Sequence, residues 1–340
     1  MDNPLFRRVL LGVLAARAIY ETAQQTATPQ QTDTTPKPPR DRRAFVDDLP
    51  PIATQRLFGV SVSELDLTRT VERIIHWAGR RPARVVVTTN LDHVMKLRTN
   101  AAFQKAYDEA DLVTPDGMPF VWLSKREETP LKGRVTGSDL ITPLMTRAAE
   151  SGRSVFFFGS TLSRLHTVAR QLKTAHPTLD IKGVYAPPFG FERDSQLHAE
   201  LVRMLRTVRP DIILVALGAP KQELWSTKMA DSVRHGVFVN IGGGLDFLSG
   251  EVKRAPAAFQ SAGLEWLWRA LTEPLRLGPR YTKILIALPS LLKMHKRDRA
   301  RYQALLRRKA IAVESERHYR DTRTATREAE RDRAFRATLD

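Results

Sequence analysis

Short apolar runs alternate with longer amphipathic segments through the middle of the chain. Four runs rich in Val, Ile and Phe predict strands at Arg84–Thr88, Ser154–Phe158, Asp211–Leu217 and Val237–Ile241. Helical periodicity appears at Ala101–Ala110, Leu140–Glu150, Leu162–His176 and Ser195–Val208. Continuous apolar strands separated by helices are typical of βαβ units with a buried parallel sheet. We therefore predict an α/β fold with a Rossmann-like parallel sheet and flanking helices.

The character of the sequence changes on both sides of this region. We predict a leader helix, a disordered linker, an α/β core, a C-terminal helical appendage and a charged helical tail, at residues 1–21, 22–50, 51–250, 251–298 and 299–340. The linker is rich in Thr, Gln and Pro, a composition typical of disorder. The apolar, Arg-containing leader fits an amphipathic helix in a membrane interface, which we favour, and also a secretory signal.

The charge of the chain indicates an anionic partner. Its 340 residues carry 54 Lys and Arg against 37 Asp and Glu, a net charge of +17. Residues 251–340 alone carry 21 basic and 11 acidic side chains. Nucleic acid, an acidic membrane surface and phosphorylated substrates all fit this excess, and so does a solvated, Arg-rich helix that binds no partner. The chain has no cysteine, which excludes disulfides, thiolate zinc sites and a cysteine nucleophile.

Polar and glycine-containing segments follow all four predicted strands. They are Thr89–Asp92, Gly159–Thr161, Gly218–Glu223 and Gly242–Asp246. Ligands of open α/β sheets bind where the carboxyl ends of strands meet helix N-termini, and glycine lets backbone N–H groups approach a phosphate. The four segments together predict a nucleotide-type site, although no G-x-x-x-x-G-K-[ST], G-x-G-x-x-G or D-x-D motif occurs. A diphosphate would then be bound by backbone donors and cations, with candidates Arg134, Lys221, Arg254, Arg269, Arg276 and Arg280.

The segment from Asp111 to Gly117 contains the most specific local motif for a catalytic residue. Pro115 before Asp116 and Gly117 after it predict a turn that holds the carboxylate on a loop. A fixed carboxylate beside a sheet edge can act as a general base. The commoner use of Pro-Asp-Gly is a turn in which the aspartate bonds to its own backbone. The pattern alone leaves both interpretations open.

Taken together, these segments resemble the bacterial WecG/TagA/CpsF glycosyltransferase family over residues 55–290. The resemblance rests on an ordered series of motifs, Thr88-Thr-Asn90, Ala110-Asp-Leu-Val-Thr-Pro-Asp116-Gly117, Arg134-Val-Thr-Gly-Ser-Asp139-Leu140, Gly218-Ala-Pro-Lys-Gln222-Glu223, Gly242-Gly-Gly-Leu-Asp246-Phe, Arg254-Ala-Pro256, Glu265-Trp-Leu-Trp-Arg269, Glu273-Pro-Leu-Arg276 and Arg280-Tyr281. Thr89 stands where the family has proline.

The resemblance implies an inverting transferase at the inner face of the bacterial plasma membrane. Such an enzyme moves a sugar, typically of the N-acetylmannosamine type, from a UDP-sugar to a polyprenyl-diphosphate-linked saccharide in cell-surface polysaccharide synthesis. It implies Asp116 as the catalytic base, no cofactor and no metal, and an appendage that binds an anionic membrane. The expected substrate-binding residues are Thr88, Asn90, Arg134, Gln222, Gly218, Lys221, Gly243 and Asp246. The expected residues on the diphosphate and membrane side are Arg254, Arg269, Arg276 and Arg280.

Two other classes remain open from the residues alone. One is a non-catalytic peripheral membrane protein of the same fold. The other is a basic nucleic-acid-binding protein, which the charge suggests but which no RRM, KH or helix-turn-helix signature supports. We favour the transferase, without a nucleic-acid partner, and leave open whether the chain forms a homo-oligomer.

Overall fold

The computed structural model describes residues 49–127, 129–251, 255, 256, 259, 265–275 and 277–300, with Arg269 described in its backbone only. The strands are β1 (Thr54–Leu57), β2 (Val60–Ser63), β3 (Arg84–Thr89), β4 (Leu112–Pro115), β5 (Ser154–Gly159), β6 (Asp180–Tyr185), β7 (Ile212–Ala216) and β8 (Val237–Asn240). The helices are α1 (Leu67–Trp77), α2 (Leu91–Leu97), α3 (Ala101–Asp108), α4 (Met118–Ser124), α5 (Gly137–Glu150), α6 (Leu162–Ala175), α7 (Ser195–Val208), α8 (Lys221–Val233), α9 (Gly244–Leu248) and α10 (Glu265–Thr272).

Six strands form one parallel sheet in the order β4-β3-β8-β7-β5-β6. The predicted α/β fold with a parallel sheet and flanking helices is confirmed. The four strands predicted from apolar runs are β3, β5, β7 and β8, and they are neighbours in the centre of the sheet. Their burial on both faces explains why their sequences are continuously apolar.

The sequence patterns did not predict the two edge strands, β4 and β6. β6 carries Asp180, Lys182 and Gly183 and is largely half-exposed, so it lacks the apolar run of a central strand. β4 is only four residues long and ends in Pro115, which suits an edge position because proline cannot donate to a ladder. The turn predicted at Pro115, Asp116 and Gly117 therefore begins in the last residue of a short strand, and Asp116 follows at the carboxyl end of that strand.

An antiparallel hairpin of β1 and β2 precedes the sheet. Its two-residue turn consists of Phe58 and Gly59, both at positive φ, of 49° and 79°, as the twist of a tight hairpin requires. The backbone N–H of Val113 donates to Ser63 Oγ at 3.3 Å, which fixes the hairpin beside β4. This hairpin was not among the strands predicted from the sequence.

The hydrophobic core lies between the sheet and the helices packed on it. Apolar side chains of α1, α5 and α6 meet inward residues of the central strands, among them Leu144, Phe157, Leu165, Leu214 and Val239, all fully buried. Burial of side chains of this size contributes about 1.5–3 kcal/mol each. This packing holds the central strands, and therefore the loops at their carboxyl ends, in fixed positions.

The start of α5 packs directly against the end of β8. A Cβ built on Gly137 would lie 2.5 Å from the carbonyl oxygen of Ile241, so only glycine fits at this contact. On the other side, Gly244 lies so close to Ser138 that a Cβ there would be 3.2 Å from its backbone. The loop that follows β8 is thus fixed against the first turn of α5.

Gly137→Ala is expected to destabilise the fold by about 1–3 kcal/mol, because the added methyl group overpacks a contact between two backbones. The free energy of unfolding from chemical denaturation measures this change. Gly133→Ala is the matched control, since nothing lies within 4 Å of a Cβ at Gly133. Equal stabilities of the two variants would contradict the tight packing of α5 on β8.

The chain divides into two compact units, Met1–Ile284 and Leu285–Asp340. Helical backbone covers residues 277–284 in the first unit and 285–300 in the second. Among the described residues, no helix combines the length and the apolar character that crossing a membrane would require. The leader, most of the linker and the tail beyond residue 300 lie outside the described residues, and the predictions made for them stay predictions.

Candidate active site

The carboxyl ends of five neighbouring strands line one edge of the sheet. The four polar segments predicted to form a site follow β3, β8, β7 and β5, which are adjacent in that order, and Asp116 follows β4 beside them. The chain runs from β3 outward to β4, crosses to β5 and β6, and returns inward through β7 to β8. The two halves of the sheet therefore meet between β3 and β8, the position at which open α/β sheets bind ligands.

Asp116 is held in place by its own backbone and by the segment that leads into α5. Its N–H donates to the carbonyl of Thr89 at 2.7 Å, which continues the β3–β4 pairing past Pro115. The N–H of Val135 donates to the carbonyl of Pro115 at 2.8 Å. Thr114 Oγ1 returns a hydrogen bond to the carbonyl of Val135 at 2.9 Å. These bonds fix Arg134, the residue before Val135, beside the end of β4.

The carboxylate of Asp116 keeps part of its surface open and accepts no hydrogen bond from any residue that the structure describes. It is therefore not satisfied by the backbone turn that the commoner use of Pro-Asp-Gly would produce. Burial raises the pKa of Asp116 to about 6, and the negative charges of Asp139 and Glu265 act in the same direction. The positive charges of Arg134 and Arg280 oppose the increase. A carboxylate with such a pKa is ionised at neutral pH and is a stronger base than an ordinary aspartate.

Arg134 connects the core to α10. Its Nη2 lies 2.7 Å from Glu265 Oε2 at the start of α10, and its Nε lies 3.8 Å from Asp139 Oδ2 in the first turn of α5. The side chains of Arg134 and Glu265 are 19% and 15% exposed, so the pair is largely removed from water. One cation thus joins α5 to the first residue of α10, which lies within the predicted appendage.

Arg280 makes a second connection, to the segment after β3. Its Nη2 lies 3.4 Å from Asn90 Oδ1 and 3.4 Å from Asp92 Oδ2. Lys96 donates to Asp92 at 2.8 Å. Burial works to raise the pKa of Asp92, but the hydrogen bond from Lys96 and the charge of Arg280 outweigh it and lower the pKa overall. Asn90 also caps α2, since its Oδ1 accepts the N–H of His93 at 3.2 Å.

Gln222 lies in the first turn of α8, where it is buried against the loop after β8. Its Nε2 donates to Glu223 Oε1 at 2.8 Å, and its Oε1 accepts the N–H of Gly242 at 3.1 Å. Glu223 is fully buried, and burial raises its pKa to about 7. Thr88 is also buried, and its hydroxyl donates to the carbonyl of Asn240 at 3.4 Å. Both predicted substrate-binding side chains therefore bond within the protein and support the loops of the site.

A histidine and a tyrosine lie beneath the same strand ends. His93 Nδ1 and the hydroxyl of Tyr107 are 2.6 Å apart, and Nδ1 is 3.9 Å from Glu223 Oε1. Burial lowers the pKa of His93 to about 3, so its ring is neutral. Burial and the charge of Glu223 raise the pKa of Tyr107 well above its ordinary value. The pair is a neutral polar contact inside the core.

Three predicted substrate-binding residues lie toward the β5 and β6 side. Lys221 Nζ pairs with Glu192 Oε1 at 2.7 Å and lies 5.0 Å from the ring centre of Phe189. Asp246 lies in α9, just after the loop that contains Gly243. Its Oδ1 pairs with Arg164 Nη1 at 3.0 Å. The carbonyl of Gly218 accepts the N–H of Lys221 at 2.9 Å, which closes the turn into α8.

The structure thus brings Arg280 into hydrogen-bond contact with Asn90 and places Arg134 and Arg280 near enough to Asp116 for their charges to lower its pKa. Gln222 lies in α8, which follows β7, and Gly243 lies in the loop after β8. Arg254, Arg276 and the side chain of Arg269 lie outside the described residues, so their predicted roles stay predictions.

Sequence reasoning missed four residues that the structure places at or beneath the site: Asp92, Tyr107, Asp139 and Glu265. Asp139 and Glu265 occur in the motifs of the resemblance, but their pairing with Arg134 joins positions far apart in the chain and no spacing reveals it. Tyr107 reaches His93 from the next helix, α3, and a tyrosine on an ordinary amphipathic helix carries no functional signal.

Comparison with known proteins agrees with this arrangement. The model of the glycosyl transferase WecG/TagA/CpsF family matches residues 55–302, which covers the sheet, the site and α10. The chain is 34% identical over 191 residues to an N-acetylglucosaminyldiphosphoundecaprenol N-acetyl-beta-D-mannosaminyltransferase of Bacillus spizizenii, over 56% of this chain and 72% of that protein. It is 27% identical over 225 residues to the protein of the same name in Staphylococcus aureus (strain NCTC 8325 / PS 47), over 65% of this chain and 86% of that protein.

The family match spans more than half of the chain and contains every strand of the central sheet. It also includes the residues that surround Asp116. The chain therefore belongs to the WecG/TagA/CpsF family of glycosyltransferases.

Proposed function

We propose that this enzyme moves a sugar of the N-acetylmannosamine type from a UDP-sugar to a polyprenyl-diphosphate-linked saccharide in cell-surface polysaccharide synthesis. The names of both similar proteins specify a mannosaminyl transfer to a diphosphoundecaprenol-linked N-acetylglucosamine. The observation that carries the proposal is the placement of Asp116, a half-open carboxylate with a raised pKa between Arg134 and Arg280 at the carboxyl edge of the sheet.

In the proposed reaction, Asp116 accepts the proton of the acceptor hydroxyl as that oxygen attacks the anomeric carbon of the donor. The new bond between the acceptor oxygen and the anomeric carbon forms while the bond to the UDP oxygen breaks. UDP leaves with the electron pair of that bond. Attack from the face opposite UDP inverts the configuration at the anomeric carbon. A positioned base of this kind contributes about 10²–10⁴-fold to the rate.

The negative charge that develops on the UDP diphosphate requires donors at the sheet edge. We propose that Arg134 and Arg280 supply positive charge and that the backbone N–H of Gly243, in the loop after β8, supplies a hydrogen bond. We further propose that the reaction needs no divalent metal and that protein cations take that role. Preorganised donors act strongly at such a site because water is partly excluded from it.

We propose that the enzyme works as a peripheral protein on the inner face of the plasma membrane. In the first unit, Leu271 of α10 is 65% exposed and Leu275, just after it, is 95% exposed. Apolar side chains of this kind, next to a basic segment, suit an anionic lipid surface, where each Lys or Arg contributes about 1 kcal/mol. Sedimentation with vesicles of anionic lipid, at low and high salt, measures this attachment.

The proposed function is tested by UDP release from a panel of UDP-sugars, with and without a polyprenyl-diphosphate-linked N-acetylglucosamine analogue and with EDTA present throughout. Release that depends on the acceptor and on one donor establishes the transfer and names the sugar. Release only after Mg²⁺ or Mn²⁺ replaces EDTA overturns metal independence alone. No release from any donor, with or without metal, overturns the proposed donor or acceptor.

The pH profile of kcat/KM is expected to show an acidic limb centred near pH 6, where Asp116 titrates. The base works only when ionised, so activity is lost as the pH falls through this value and is complete above it. Initial rates from about pH 3.5 to about pH 8.5 at subsaturating acceptor measure the limb. A limb near the ordinary carboxylic acid value of about 4 would contradict the raised pKa of the base.

A further inference from the structure

We propose that Glu223 is a positioning residue, whose buried carboxyl group fixes the amide of Gln222 and through it the backbone of the glycine loop Gly242–Gly244. The proposal rests on the proposed function, in which this loop faces the diphosphate of the donor. Glu223 touches no substrate in this scheme. It acts through Gln222, which touches the loop.

The two hydrogen bonds of Gln222 allow only one orientation of its amide. The N–H of Gly242 can only donate, so the oxygen of Gln222 must face it, at 3.1 Å. The amide nitrogen must then face Glu223 Oε1, which accepts at 2.8 Å. A flipped amide would place two donors together at Gly242 and two oxygens together at Glu223. Glu223 therefore selects the orientation that ties the loop to α8.

The surroundings of Glu223 show that this contact is its main bond. The residue is fully buried, and its Oε2 has no hydrogen-bond partner among the described residues. The titratable groups around it are His93 at 3.9 Å, Lys96 and Tyr107, none of which forms a close ion pair with it. A proton on Oε2 leaves Oε1 free to accept, so both protonation states of Glu223 hold Gln222. A buried carboxyl group with one unpaired oxygen costs stability, which argues against a purely structural role.

The N–H of Gly242 donates to Gln222 Oε1, which is the contact of this loop with α8. Gly242 has φ of 54°, a conformation that suits glycine. Gly244 is fixed on the opposite side by its close approach to Ser138 of α5. The bond from Gly242 to Gln222 is therefore the point at which α8 sets the direction of the loop donors.

The test compares Glu223→Met, Gln222→Met, the double variant, Glu223→Gln and the wild type in the full-length protein. Methionine keeps the length of the side chain and suits a helix, but removes the acceptor. Glu223→Gln keeps an acceptor oxygen for Gln222. Thr227→Val is the matched control, because it alters a buried polar residue of the same helix that makes neither bond of Gln222. The readouts are kcat, the KM for the donor, and hydrogen exchange at Gly242 in protein labelled with 15N-glycine.

Glu223→Met is expected to raise the KM for the donor about 10-fold, since Gln222 then has an unsatisfied buried donor and turns. Exchange at Gly242 should accelerate to a similar degree. The double variant should be no worse than Gln222→Met alone, because residues that act in series are not additive. Glu223→Gln should restore most of the donor KM and of the protection. Thr227→Val should leave both unchanged.

Additive losses in the double variant, or normal protection of Gly242 in Glu223→Met, would overturn the proposal. The exchange measurement needs no activity. If the wild type transfers no sugar, the proposed function fails, while exchange at Gly242 still decides whether Glu223 positions the loop. Loss of folding in Glu223→Met would show as a general rise of exchange, and Glu223→Gln then carries the test: failure to protect Gly242 overturns the proposal.

Discussion

Asp116→Asn is expected to lower kcat by about 10²–10⁴-fold, because asparagine cannot accept the proton of the acceptor hydroxyl. The amide has nearly the same size as the carboxylate, and the backbone of Asp116 alone makes the bond that holds it to Thr89. The affinity for UDP should therefore change little. Single-turnover transfer measures the loss, and calorimetric titration with UDP measures donor binding.

The same substitution should stabilise the fold, which separates loss of chemistry from loss of structure. The pKa of Asp116 is raised from 3.8 to about 6 in the folded protein, so the ionised carboxylate costs free energy of folding. This cost is absent at about pH 3, where the carboxyl group is protonated in both states, grows as the pH rises past the unfolded pKa of 3.8, and is complete above the folded pKa of about 6. Asparagine removes it, so the variant should gain about 3 kcal/mol in unfolding free energy at pH 7.5 and almost nothing at pH 3.

Asp108→Asn is the matched control, since Asp108 is an exposed carboxylate at the end of α3. The same change of charge there should alter neither turnover nor stability. Turnover by Asp116→Asn at the rate of the wild type would remove Asp116 as the base.

The four central strands of the sheet were predictable because strands that are buried on both faces contain runs of apolar residues. β3, β5, β7 and β8 each contain a continuous run of at least three apolar residues and are buried over their full length, since helices cover both faces of the sheet. The edge strand β6 and the β1–β2 hairpin lack a continuous apolar run, because part of each is exposed to water. Periodicity reports burial, so an element that is half-exposed or only four residues long falls below what it can detect.

The candidate site was predictable only where one segment carries its own signal. Pro115, Asp116 and Gly117 occur in one motif. Each polar or glycine-containing segment after a predicted strand can also be recognised in the sequence by itself. The contacts of Arg134 with Glu265, and of Arg280 with Asn90, join residues that are far apart in sequence. Such contacts exist only after the sheet has aligned its strand ends. Sequence could give the residue types of the site, and only the fold could give their pairing.

Arg134→Met is expected to lower kcat/KM by about 10²-fold, mainly through the KM for the donor. The variant removes a cation from the proposed diphosphate site and leaves Glu265 without the partner that lies 2.7 Å away. It also removes a positive charge that lowers the pKa of Asp116. The acidic limb of the pH profile should therefore move to higher pH.

Glu265→Gln separates the loss of the Arg134 cation from the change in the pKa of Asp116. It keeps Arg134 and removes a charge that raises the pKa of Asp116. Its acidic limb should move to lower pH, opposite to that of Arg134→Met, and its donor KM should rise less. Lys132→Met is a control two residues from Arg134, since Lys132 is 59% exposed and pairs with Asp66. Limbs that move in the same direction in Arg134→Met and Glu265→Gln would mean that the limb does not report Asp116. Opposite shifts around an unchanged Lys132→Met profile would assign the limb to a carboxylate close to both charges, as Asp116 is.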